Sequence, residues 1–383
     1  MENEKKNKIK SWVTITVFCL LIGVFALTTF ILPKKEFSET ENRYLSEFPD
    51  ATAESIFNGE FESGFEDYLT DHFVGRDGWV DMKTTIERLM LKTESKDIYF
   101  GKDGYLIEKH SDTFTTDTAK RNIAYLSQFE SKYKEQFGDR LSVMIVPNAV
   151  DIMRDKLPPL ATPYDEELYL GQIKNALIGN SYFDASMVLT AHKDEDLYYK
   201  TDHHWRTLAA YYVYRAWAQE QGLSVPDISD FNVLAASDSF QGTIQSKLGI
   251  GVKGDTIELF LPKKEIAYTV KVGSSQEVKN SLYDYSVLDT KDKYAIYFGG
   301  NFANVNITTE NKNGRKALVI KDSYANCFVP FMLGEFEEID MLDLRYTNQR
   351  LSQLIEFGGY TDVLVLYNAA GFAEDISSAK LIN

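Results

Sequence analysis

Cysteine is almost missing from this chain: of 383 residues, only Cys19 and Cys327 carry a thiol. Cys19 sits inside an apolar run and Cys327 stands alone beyond it, so an intrachain disulfide framework is excluded and the fold must be held by its core. Histidine is scarce too. There are five, and two of them, His203 and His204, are adjacent. Positive charge is in deficit, with 41 Lys and Arg against 57 Asp and Glu and a formal charge of -16. Neutralising a nucleic-acid backbone needs a surplus of Lys and Arg on at least one face, and no basic run outside the N-terminus offers one. Internal repeats and low-complexity tracts are absent, which leaves a chain long enough for one large or two ordinary domains with ample apolar content for a core.

Long uncharged runs are also few, and the main one lies at the start. "MENEKKNKIK" sets Lys5, Lys6, Lys8 and Lys10 just ahead of "SWVTITVFCLLIGVFALTTFILP", Ser11 to Pro33. That stretch is long enough to cross a hydrocarbon layer of roughly 30 Å as a helix. The lysines are expected to stay in the cytoplasm. A cleavable signal peptide would have a shorter apolar region followed by an A-x-A-like site, which is not present. We therefore expect a basic cytoplasmic tail over 1–10, an uncleaved anchor over 11–33, and an extracytoplasmic remainder attached to the cell membrane by a single pass.

Residues 34–95 read as a juxtamembrane linker followed by a helical lead-in, with apolar residues at helical spacing from Ile56 to about Lys92 and a break near Gly75 to Gly78. From 96 to 383, short apolar runs alternate with helical segments. "DIYFGKDGYLIE" is a hairpin signal. "LSVMIVP", "RKALVIK", "EEIDMLDL" and "TDVLVLYN" read as strands, and helical patterns lie between them. Such alternation predicts an α/β fold with a mainly parallel sheet covered by helices on both faces. The segment 233–309 breaks the rhythm with hairpin-like stretches and reads as a β-rich insertion.

Ligands of open parallel sheets bind at the carboxyl ends of the strands. In "ALVIKDSYANCF", Ser323 falls just after a strand and just before a helix, where a tight turn exposes a hydroxyl beside N–H donors able to hold an oxyanion. Asp322 and Ser323 are equally favoured helix caps. A nucleophilic serine needs a base, and "TDHHW" holds the adjacent histidines. Side chains two apart on an extended segment point the same way, so Asp202 and His204 share a face while His203 diverges. Asp202, His204 and Ser323 then have the composition of a triad, whose members occur in any chain order. A metal site built on Asp202, His203 and His204, with His192, is the rival reading, but neighbouring histidines diverge in direction and no H-x-x-x-H or Cys-rich spacing accompanies them. A third reading makes Thr201 or Asp202 the cap of a helix running from Arg206, with Trp205 packed beneath.

"TDHHW" followed by "KDSYANCF" resembles the DHHW protein family and, more broadly, the SGNH-hydrolase-like domain of the alginate O-acetylation proteins. "ENRYLSEFP", "FEDYLTDHFVGRD", "FGKDGYLI" and "FQGTIQSKLG" are similar to landmarks of that group, so the resemblance runs from about Glu41 to the C-terminus. In the alginate proteins a D-x-H element precedes a G-D-S serine and the three act as a triad, which implies Asp202, His204 and Ser323 here. Lys321 stands where that motif has glycine. Oxyanion or substrate donors are sought in Asn148 after a buried strand, Asn301 beside two glycines, and Arg345 in "DLRY"; Tyr324, next to the serine, orients it or packs. Each of these could equally serve a turn or the core.

The resemblance implies a membrane-anchored O-acetyltransferase that carries acetyl on Ser323 to hydroxyls of a cell-surface or exported polysaccharide, with no soluble cofactor and no metal. The acetyl donor would come through a membrane-bound O-acyltransferase-type partner. A carbohydrate acetylesterase uses the same triad with water as acceptor. A non-catalytic scaffold or binding protein of the cell envelope would use the same residues as caps and packing.

Overall fold

The computed structural model describes residues 2–38, 43–275 and 277–383. Glu41 and Asn42, which begin the "ENRYLSEFP" landmark, lie outside the described residues. The chain divides into two compact units, one of Met1–Met90 with Ser246–Gly251 and one of Leu91–Gln245 with Val252–Asn383.

The first unit is helical. Helix α1 (Glu2–Ile31) contains the apolar run. An 18-residue stretch within Lys6–Ile31 reaches a mean hydropathy of 2.4, and this is the one helix among the described residues long and apolar enough to cross a membrane. Helix α2 (Glu60–His72) and helix α3 (Arg76–Leu89) follow. The break between them comes at Gly75, whose φ of 68° lies in the left-handed region that a residue without Cβ enters freely.

The second unit is built on a six-stranded sheet. Its strands are β1 (Leu141–Val146), β2 (Tyr268–Val272), β3 (Asn304–Thr309), β4 (Lys316–Lys321), β5 (Glu338–Leu342) and β6 (Asp362–Asn368). They lie in the order β1-β6-β4-β5-β3-β2. The first four are mutually parallel, and β3 and β2 add antiparallel at one edge. Every residue of β1 and of β6 is buried, as a parallel strand covered on both faces requires. Alternate residues feed two apolar layers. Leu318, Ile320, Val363 and Val365 pack with helix α4 (Asp117–Phe137), while Ala317, Val319, Leu364 and Leu366 pack with helix α5 (Thr207–Glu220).

The segment 233–309 behaves differently from its reading as one insertion. Phe231–Phe240 and Asp255–Pro262 form a separate antiparallel pair, whereas β2 and β3 belong to the main sheet. The alternation in "TIELFLPKKEIAYTVKV" is therefore shared between two sheets. Local periodicity marks a strand without naming its partner.

Candidate active site

All four parallel strands end on one edge of the sheet, and each delivers a polar residue there. Asn148 follows β1, Asn368 closes β6, Asp322 and Ser323 follow β4, and Asp343 follows β5. Hydrogen bonds run along that edge. The Asn148 amide donates to Asn368 Oδ1 at 3.1 Å, and Asn368 donates to Asp322 Oδ2 from its backbone N at 2.8 Å and its side-chain amide at 2.6 Å. The other Asp322 oxygen accepts the Tyr324 N–H at 2.8 Å, closing the turn that carries Ser323. Gly371 stands against this junction, where a Cβ would meet the Asn368 amide at 2.5 Å.

Across this edge lies the loop Thr201–Trp205. His204 Nε2 is 2.7 Å from Ser323 Oγ, and His204 Nδ1 is 2.5 Å from Asp202 Oδ1. The same Asp202 oxygen accepts the His204 backbone N–H at 3.0 Å, while Oδ2 accepts Thr243 from its backbone N at 2.8 Å and its hydroxyl at 3.1 Å. A carboxylate with this many donors can hold an imidazole ring in a single tautomer, with the proton on Nδ1 and the lone pair of Nε2 facing the serine. Gly242 lets the 241–243 chain lie this close, because a Cβ there would collide with the Asp202 carboxyl. The His204 ring is stacked on Tyr294, with centroids 3.7 Å apart and planes at 17°. Tyr294 in turn donates to the Ser323 carbonyl at 3.2 Å.

The three groups are buried, with Asp202 2%, His204 6% and Ser323 8% exposed. Burial favours the neutral imidazole and, with repulsion from His203 opposing Asp202, pushes His204 down to about 4. Burial alone would raise Asp202, but the two imidazoles and the donated hydrogen bonds outweigh it and hold the carboxyl well below the usual carboxylate range. At neutral pH the pair is a carboxylate beside a neutral, proton-accepting ring.

The remaining sequence candidates fall in other roles. Tyr324 is fully buried; it stacks on Trp205, gives its hydroxyl to the His203 carbonyl at 2.6 Å, and accepts the Trp205 indole N–H on its own carbonyl at 2.9 Å. Trp205 thus packs under the turn of Ser323. Asn148 accepts the Ala370 N–H at 2.9 Å and belongs to the edge network. Lys321, 1% exposed, donates to Asn326 at 2.8 Å and to Asn301 at 3.1 Å, and lies 3.8 Å from Asp343. Burial lowers its ammonium to about 8 against the pull of Asp343. Asn301 Oδ1 accepts two donors, Lys321 and the Asn326 amide at 3.0 Å, which leaves the Asn301 NH2 outside these bonds. Arg345 is gripped by both oxygens of Asp343 at 2.9 and 2.6 Å.

The capping reading fails locally. Arg206 occupies the N-cap of α5 without a side-chain cap, and the Thr201 hydroxyl donates to Asp255 at 2.6 Å instead. Asp202, His203 and His204 do bring ligand-type atoms within 4.8 Å of one another. Yet both His204 nitrogens face protein partners, and His203 Nδ1 lies 2.8 Å from the Thr243 hydroxyl. Thr243, Gly242, Tyr294 and Asn368 were not singled out from the sequence. Asn368 was within reach of the strand-end rule that flagged Asn148; Gly242 and Thr243 lie in the "FQGTIQSKLG" landmark, which marked the stretch without assigning either residue a role, and Tyr294 carries no local signal.

Comparison with known proteins finds relatives of the chain. The family model described as "DHHW protein" matches residues 112–342. Eleven chains of solved structures match as well. A DHHW family protein from Eubacterium siraeum is 25% identical, with a TM-score of 0.58, over 75% of this chain and 95% of its own. Bacillus cereus PatB1, solved with a sulfonyl adduct, is 20% identical, with a TM-score of 0.61, over 73% of this chain and 98% of its own. The O-acetyltransferase domain of Pseudomonas putida AlgJ is 15% identical, with a TM-score of 0.43, over 73% of this chain and 94% of its own. No curated protein matches the chain.

Proposed function

Taking as premise that the chain belongs to the DHHW protein family, we propose that it is a membrane-anchored, extracytoplasmic O-acetyltransferase of SGNH-hydrolase-like architecture, with residues 96–383 as its catalytic domain. The observation that carries this reading is the unbroken relay from Asp202 through His204 to Ser323, at 2.5 and 2.7 Å. Its acceptors are hydroxyls of a cell-surface polysaccharide, and its acetyl donor is delivered through a membrane-bound O-acyltransferase-type partner. Both follow from the resemblance to the alginate O-acetylation proteins.

In the first half-reaction, Ser323 Oγ attacks the acetyl carbonyl of the donor ester as its proton passes to His204 Nε2. The imidazolium that forms is stabilised by Asp202, which keeps the Nδ1 proton as a hydrogen bond. The tetrahedral oxyanion is held by the Ser323 N–H, which has no acceptor among the described residues, and by the Asn301 NH2. Collapse breaks the bond to the donor oxygen, which takes the proton from His204 and leaves an acetyl ester on Ser323. In the second half, His204 removes the proton of an incoming sugar hydroxyl, whose oxygen attacks the ester and restores the serine. Because His204 must start neutral, its depressed basicity keeps it in the accepting form throughout the neutral range.

The test is chemical. Full-length protein is treated with an aryl sulfonyl fluoride and separately with an activated acetyl ester, and the modified peptide is located by mass spectrometry. Modification of Ser323, lost in His204→Ala, is expected. A folded sample that takes no adduct at Ser323 would sink the proposal. Product analysis with a sugar oligomer then separates acetyl transfer from release into water, the outcome an esterase would give.

A further inference from the structure

Helix α3 leaves a whole apolar face open. Trp79, Met82, Ile86 and Leu89 are 44%, 45%, 46% and 78% exposed. At about 100° per residue these positions fall within an arc of about 80°. Asp77, Asp81 and Arg88, also exposed, lie on the opposite side. The helix is held in its own unit from beside those charges, away from the apolar face: Thr84 is buried and donates to the Leu248 carbonyl at 2.9 Å, and Val80 lies against Gly249. Packing within the unit therefore does not account for the apolar face. Met90, 69% exposed, extends it beyond the last turn.

What covers this face is indicated by where it begins. Trp79 meets Phe25 of α1 edge to face, with centroids 6.0 Å apart, and Phe73 stacks on the same ring at 5.6 Å. The loop before α3 is tied to α1 as well, since the Val74 N–H donates to Thr29 Oγ1 at 3.4 Å. Phe25 lies inside the apolar span Lys6–Ile31. It is six residues short of that span's end, or about 9 Å of helix rise. If α1 spans a bilayer, a ring touching Phe25 is at the depth of the upper acyl chains. The apolar stripe of α3 starts at that ring, and Lys83 flanks the stripe where phosphate headgroups would lie.

We propose that α3 is an in-plane membrane helix: its Trp79, Met82, Ile86 and Leu89 face inserts into the acyl boundary of the same bilayer that α1 crosses, on the leaflet at the C-terminal end of α1. The proposal rests on the reading of α1 as an anchor. It gives the first unit a second contact with lipid and fixes the tilt of α3 at the membrane, beyond the tether that α1 alone supplies. Trp79 at the entry suits this position, since indole rings concentrate at the boundary between headgroups and chains.

The experiment uses full-length protein with Cys19→Ser, in which the remaining Cys327 is buried. Single cysteines are introduced as Met82→Cys, Ile86→Cys, Asp81→Cys, Arg88→Cys and, within α1, Ile15→Cys. Each is labelled with an environment-sensitive fluorophore and reconstituted into vesicles of phosphatidylcholine and phosphatidylglycerol. Quenching is read from lipids bearing a nitroxide high on the acyl chain and from aqueous iodide. Labels at 82 and 86 should be quenched several-fold more by the lipid nitroxide than labels at 81 and 88, with the reverse order for iodide. Ile86→Asp should abolish the lipid quenching of the label at 82. If the label at 15 is shielded from iodide but 82 and 86 are as open to it as 81 and 88, the in-plane helix is wrong and the anchor stands. If 15 is also open to iodide, the anchor reading falls and the proposal with it. Shielding of 82 and 86 that disappears on dilution of protein into excess lipid identifies a second copy as the occupant and overturns the proposal.

Discussion

On one side of Ser323, the loop Thr201–Trp205 presents a carboxylate and a neutral ring in line with its hydroxyl, with His204 Nε2 at 2.7 Å from the serine. On the other, the strand-end cluster of Asn148, Asn368, Asp322, Lys321 and Asp343 is just as polar and just as buried. The two sides differ in what their hydrogen bonds leave free. In the relay, His204 faces the serine through a nitrogen that, in the tautomer set by Asp202, has a lone pair. In the cluster, Asp322 receives three N–H donors and Lys321 is held by two amides and a carboxylate, so their groups are committed to the fold. Polarity and burial alone do not distinguish the two sides; a free lone pair facing the Ser323 hydroxyl does.

Mutation can break this contrast at its sharpest point. Ser323→Ala should lower acetyl transfer by about 10⁴-fold or more while leaving the thermal unfolding midpoint within a few degrees, read by turnover and calorimetry side by side. Asp202→Asn should cost about 10³-fold, because an amide in place of the carboxylate no longer favours the reactive tautomer of His204. On the cluster side the loss should appear as stability. Asp322→Ala strands three N–H groups and should remove about 3 kcal/mol in urea unfolding, with activity falling as a consequence of the loosened turn. Gly242→Ala sits between the two behaviours: the fold should persist, while the displaced Asp202 carboxyl lowers transfer by about 10²-fold.

The smallest effect concerns pH. Transfer requires neutral His204, so the rate should fall as pH drops through its value of about 4, lower than for an ordinary imidazole. Burial is the largest cause of that depression and repulsion from His203 the next, so His203→Gln should move the acid limb upward by less than about one pH unit. An acid limb unmoved by His203→Gln would remove His203 from the electrostatics of the site.

Much of this was legible beforehand because it is local. The buried runs of β1, β4, β5 and β6 carry their burial in their own composition. Asp202 and His204 do meet, but on a bent segment in which Asp202 caps the His204 N–H, and the His203 ring lies 4.0 Å from that of His204 instead of diverging from it. The edge position of Asn148 and Asn368 follows from where strands stop. The division of 233–309 between a separate antiparallel pair and the main sheet was not legible, because Tyr268–Val272 alternates in the same way whichever neighbour it pairs with. Nor was the fate of Lys321 and Arg345. The place of a lysine just before Asp322 and Ser323 depends on Asn301, Asn326 and Asp343, none of which its neighbours in the chain announce.

By itself, then, the sequence determined the apolar run of α1, the strand-helix alternation that makes a doubly covered sheet, and the carboxylate, imidazole and hydroxyl that Asp202, His204 and Ser323 bring. These properties reside in residue type and short-range period, which the chain carries with it whatever its folded shape. Tertiary structure alone decided that His204 and Ser323, 119 positions apart, meet at 2.7 Å, that Thr243 and Tyr294 brace the ring between them, and that an apolar face of α3 begins at the ring of Phe25. Each of those contacts joins segments remote in the chain. Only the packing of the core selects among the many partners that the same local pattern would accept.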